Sequence, residues 1–128
     1  MRETDKIRDK VVLVGLNSPV LKRDQNADED TLDELSALVE TAGGETVGIV
    51  LQNRNSPDPR TFIGEGKCAK VKLYCENTEA TMVIFDNDLS PSQLRVLTEL
   101  LGVQVLDRCG LILDIFAQRA RTREGRLQ

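Results

Sequence analysis

Four short apolar runs rich in β-branched residues alternate with segments whose apolar positions repeat at helical spacing. A run that is apolar on both faces needs cover on both faces, and this restricts the fold more than any other feature. Residues 10–16 (KVVLVGL), 45–52 (ETVGIVLQ), 81–86 (TMVIFD) and 103–106 (VQVL) read as strands. Between them, Leu32, Leu35, Leu38 and Val39 mark one helix, with Thr31 and Glu34 as its expected capping box and Gly43-Gly44 as its end. A second helix opens at Gly66-Lys67 and runs to about residue 76. A third has Ser90 as N-cap, Pro91 in the first turn and Gln93 closing the box, with a Leu94, Leu97, Leu100, Leu101 stripe and Gly102 at its end. A last helix begins at Cys109 or Gly110 and carries Leu111, Ile112, Ile115, Phe116 and Ala120 on one face. This order predicts an α/β fold: a parallel four-stranded sheet with helices on its faces, in βα-repeat order, ending in the start of a longer helix.

One domain accommodates all of this. A chain of 128 residues, 40% apolar and 30% charged, buries a real core without needing a second. Residues 1–9 read as a charged N-terminal tail and 53–61, with Pro57 and Pro59, as a loop or arm. Residues 17–27 read as a surface loop, and Thr61 to Gly64 as a short extended piece. No apolar run spans a bilayer and no signal core follows Met1, so the expected location is cytoplasmic, without membrane insertion. The chain has three cysteines and no histidine. That inventory argues against a disulfide framework or structural zinc, and His-dependent acid–base chemistry is excluded. Cys68 and Cys75 fall on one helical face, as small core residues do.

Three constellations invite functional readings. Gly64-Glu65-Gly66-Lys67 looks like a phosphate loop, but Thr61 stands where a Walker glycine belongs and Cys68 where Ser or Thr belongs. Lys67 remains a candidate anion contact beside a helix N-terminus. Asp86, Asp88 and Asp107 gather at strand ends, where an α/β sheet could hold Mg²⁺ for phosphoryl chemistry; the competing reading is that they stabilise helix N-termini. A phosphoacceptor of the receiver kind would also want acids after the first strand, where Asn17-Ser18 stand. Finally, charge is split. Residues 1–107 carry a net −7, whereas 108–128 carry five arginines against Asp114 and Glu124, a net +3. Helical spacing groups Arg119, Arg123 and Arg126 and turns Arg121 away, making these candidate phosphate contacts.

Three segments also resemble one family. Arg60-Thr61-Phe62-Ile63-Gly64-Glu65-Gly66-Lys67, Phe85-Asp86-Asn87-Asp88-Leu89-Ser90-Pro91-Ser92-Gln93 and Asp107-Arg108-Cys109-Gly110-Leu111-Ile112-Leu113-Asp114-Ile115-Phe116-Ala117-Gln118-Arg119-Ala120 resemble, in order, signature segments of the HflX family of ribosome-associated GTPases. Residues 121–128 continue in the family's wording, and Cys109 stands where threonine is more usual. The resemblance implies an N-terminal α/β module preceding a helical hairpin and a G domain, with residues 119–128 as the hairpin's root. It implies binding to the large ribosomal subunit through rRNA, contact with the protein's own G domain, and ribosome splitting or rescue under stress. GTP and Mg²⁺ belong to the G domain, whose nucleotide-binding motifs do not occur in these 128 residues, so this chain by itself is not expected to be an enzyme. Two readings compete with this one: a Mg²⁺-dependent phosphoacceptor or enzyme domain using Asp86, Asp88 and Asp107, and a purely structural scaffold.

Overall fold

The computed structural model describes residues 9–114. Its strands are β1 (Lys10–Asn17), β2 (Glu45–Asn53), β3 (Met82–Phe85) and β4 (Gln104–Asp107). Its helices are α1 (Glu29–Thr41), α2 (Glu65–Thr78) and α3 (Pro91–Leu101), followed by α4, helical over 108–114. The sheet is parallel throughout in the order β2-β1-β3-β4. β1 is central and apolar on both sides: Val11 and Leu13 face one core, and Val12, Val14 and Leu16 face the other.

This strand order dictates which helix covers which face. The step from β1 to β2 goes one way along the sheet, while those from β2 to β3 and from β3 to β4 go the other. Right-handed crossovers therefore place α1 on one face and α2 and α3 on the opposite one. The packing agrees. Leu32, Leu35 and Val39 of α1 join Val11, Leu13, Ile84 and Leu111 of α4. Cys68, Val71 and Cys75 of α2 join Leu97 and Leu101 of α3 around Phe85.

Several local expectations need correction. α1 is capped by Asp28, whose carboxylate accepts from Thr31 N–H while the Thr31 hydroxyl accepts from Asp28 N–H. Thr31 thus closes the box rather than opening it, and Glu34 takes no part. The 17–27 loop is partly internal: Ser18 and Ala27 are fully buried, and Arg23–Gln25 form a 3-10 turn. Gly15 explains the close approach, because a Cβ there would stand 2.6 Å from the Ala27 Cβ.

The 53–61 arm is folded against the domain. Asp58 and Phe62 exchange backbone hydrogen bonds, and the Asp58 carboxylate caps Thr61 and Arg60 N–H groups. Those two donors, Thr61 first, hold the Asp58 carboxyl below the usual carboxylate range. Phe62 is not extended but left-handed (φ 66°), and its buried ring meets Phe85 edge-on at 6.3 Å. α3 matches expectation: Ser90 and Gln93 form the box, Pro91 opens the helix, and Gly102 (φ 73°) ends it.

Three predictions arise from this core. Gly15→Val should destabilise the chain by about 1–3 kcal/mol in urea unfolding, since Ala27 and Leu32 leave no room for it. Burial pushes the Cys68 thiol up to about 11 and raises that of Cys75. Both stay neutral to higher pH when folded than when unfolded, so their contribution should be lost as pH rises above about 9, toward 11 for Cys68. At neutral pH a thiol reagent should label exposed Cys109 and spare Cys68 and Cys75 until the chain unfolds.

Candidate functional site

In an open α/β sheet the usual ligand position is the crevice beyond the strand carboxyl ends, where successive crossovers part to opposite faces. Here that point lies between β1 and β3. A side chain fills it. Asn87, buried just after β3, accepts from Leu16 N–H through Oδ1 (2.8 Å) and donates through Nδ2 to Leu16 C=O (3.0 Å) and Gln25 C=O (2.8 Å). Its amide imitates one more peptide of β3, continuing the ladder that ends with Asp86 N–H on Val14 C=O. Any ligand entering here would have to displace three hydrogen bonds, two of them buried.

The acidic residues occupy the neighbouring positions. Asp86 Oδ1 accepts from Arg108 Nε (2.8 Å) and Nη2, and Oδ2 accepts from the Thr31 hydroxyl. The Asp86 side chain is 2% exposed and that of Arg108 26%, so the pair is held largely out of water. Arg108 also donates to Thr31 C=O (2.7 Å), tying the first turns of α1 and α4 to the end of β3. Asp107 is buried and accepts from Leu89 N–H (3.0 Å) and Gly110 N–H (2.8 Å). Asp88 is exposed. The three aspartates thus share one edge of the sheet without converging, and no group of three or more Cys, Asp or Glu able to hold a metal occurs among the described residues.

Two open polar depressions flank this plug. One, about 350 Å³, is lined by Asp24, Thr31, Glu34, Asp86, Asp88 and Arg108 among others. The second, about 450 Å³, lies over Asn17, Pro19, Asn53, Arg54 and Asn55. Arg54 is spent on holding the arm, donating to Ser56 C=O and Ile63 C=O. Lys67 lies half-buried in the first turn of α2, whose N-cap Gly64 offers no side-chain acceptor. Arg119, Arg121, Arg123 and Arg126 fall outside the described residues.

Sequence reasoning passed over Asn87, Arg108 and Thr31 as an anchor. Their signal was present: Asn87 and Arg108 sit inside two of the segments that carry the family resemblance. What the wording of those segments did not disclose is that they touch each other.

Residues 29–117, more than half of the chain, match the family model described as GTP-binding GTPase N-terminal. The chain is 40% identical to GTPase HflX of Caldanaerobacter subterraneus subsp. tengcongensis across its whole length, covering 28% of that relative. It is 47% identical to GTPase HflX of Escherichia coli over 81% of the chain, covering 24% of that protein. A crystal structure of a GTP-binding protein from Sulfolobus solfataricus, in complex with GDP, shares the fold with a TM-score of 0.63 at 24% identity, over 85% of this chain and 30% of that one. The chain therefore spans about a quarter of the length of these curated relatives, and it belongs to the HflX family, matching the N-terminal domain of those GTPases.

Proposed function

We propose that this chain is the platform domain of an HflX-type GTP-binding protein that acts on the large ribosomal subunit, splitting or rescuing ribosomes under stress. In this reading GTP hydrolysis, with its Mg²⁺, resides in a G domain of the same protein, and this domain contributes binding and orientation, not catalysis. One observation carries it. The Asp86–Arg108 pair and the Asp107 contacts with Leu89 and Gly110 fix the direction in which α4 leaves the sheet. In sequence, that helix is followed by the strongly basic stretch 119–126, whose arginines are suited to phosphate contacts with rRNA. The acidic remainder is suited to protein surfaces, the parent's own G domain among them.

Co-sedimentation with large ribosomal subunits over a salt series tests this. The wild-type chain should pellet at low salt. An Arg119→Ala, Arg123→Ala, Arg126→Ala triple variant should bind less tightly and reduce the slope of log affinity against log salt by about 3. Equal binding by the two would remove the arginines from the interface. Binding that appears only when the natural downstream sequence is joined to the chain would favour a scaffold role.

The anchor itself yields a stability prediction. Arg108→Ala strands a desolvated carboxylate and should cost roughly 3–5 kcal/mol in urea unfolding. Adding Asp86→Ala should recover part of that loss, a coupling that a double-mutant cycle reads directly. Asn87→Asp should also destabilise, because an oxygen would then face the carbonyls of Leu16 and Gln25.

A further inference from the structure

The two edges of the sheet differ. β4 is four residues long, the usual way of blunting an edge, whereas β2 runs for nine and pairs only with β1 among the described residues. The one irregularity lies opposite Val11/Val12, so the stretch from Gly48 to Asn53 is regular. Arg54 N–H donates to Asn17 C=O, which turns the backbone groups of Gly48, Val50 and Gln52 toward β1 and those of Ile49, Leu51 and Asn53 outward. No charge and no proline guards residues 46–53, and Ile49 is 46% exposed.

The flanks of this edge are chemically distinct. Ser36 of α1 bonds Thr46 (3.0 Å), so that side of α1 overlooks β2, and Asp33 and Glu40 share it at helical spacing. Both are exposed, and neither forms an ion pair among the described residues. On the other face the Tyr74 ring lies over Gly48. An added strand would present alternate side chains to an acidic flank and to an aromatic one.

We propose that the outer edge of β2 docks an extended protein segment with basic side chains at alternate positions facing α1 and apolar ones facing Tyr74. The acidic flank repels nucleic acid, and it disfavours a second copy. Antiparallel pairing of two β2 edges keeps the faces aligned and would set Asp33 and Glu40 of both α1 helices against each other. This proposal depends neither on the arginines of 119–126 nor on the ribosomal reading.

The test is an NMR titration of the ¹⁵N-labelled chain with a capped octapeptide of alternating lysine and valine, beside its glutamate counterpart. The lysine peptide should shift and protect the Ile49, Leu51 and Asn53 amides and the glutamate peptide should not. Raising salt from about 50 to about 300 mM should weaken the effect severalfold. Ile49→Pro removes an outward N–H without touching the β1 ladder and should abolish it, with unchanged β1 and β3 amides reporting an intact fold. Asp33→Asn with Glu40→Gln should weaken it at least severalfold without altering the edge. Shifts confined to α1, or equal for both peptides, or persisting in an intact Ile49→Pro chain, would overturn the proposal. So would concentration-dependent shifts at β2 in the chain alone, which would give the edge to a second copy.

Discussion

Everything in this domain depends on β1 being apolar on both faces. A strand that presents Val11 and Leu13 to one side and Val12, Val14 and Leu16 to the other is stable only inside a sandwich of helices. That requirement makes β1 central and draws β2 and β3 to either side of it. With right-handed crossovers it also distributes the helices, α1 and α4 over one face and α2 and α3 over the other. The short β4 and the long bare edge of β2 are the two ends of this sheet.

The same topology creates a crevice between β1 and β3, the place where folds of this class usually keep a ligand. This chain has filled it with its own chemistry. Asn87 completes the β1 ladder, and Asp86 and Asp107 engage backbone and guanidinium groups of the elements around them. A carboxylate 2% exposed and bonded by Arg108 and Thr31 has little capacity left for a metal or a phosphoryl group. The polar groups at this edge act between elements of the fold.

How much of this was legible depends on the range of the interaction concerned. The β-branched runs, the Leu32, Leu35, Leu38, Val39 and Leu94, Leu97, Leu100, Leu101 stripes and the Ser90–Gln93 box are local patterns, and each appears where its spacing placed it, with Leu38, Leu94 and Leu100 only half-buried. The start of α1 was misread because two overlapping boxes compete there. Asp28 prevails, and the Thr31 hydroxyl, which accepts from Asp28 N–H, also donates to Asp86, 55 residues away. The arm was misread because proline-rich composition signals a turn but not what the turn packs against; the Asp58–Phe62 exchange buries Thr61 and Phe62 under the sheet. Arg108 and Asp86 were both in view as members of separate segments, but a pairing across 22 residues leaves no trace in periodicity.

The three segments that carry the family likeness can then be understood as one object. Phe62, from the first, stacks edge-on against Phe85 of the second, and Pro59 C=O, beside the first, accepts from Gln93 of the second. Asp86 and Leu89 of the second receive Arg108 and Asp107 of the third. These contacts gather around the end of β3 and the neighbouring end of β4, from which α4 departs. A change in any one of them would alter packing at β3 and, through Arg108, the angle of that helix against α1.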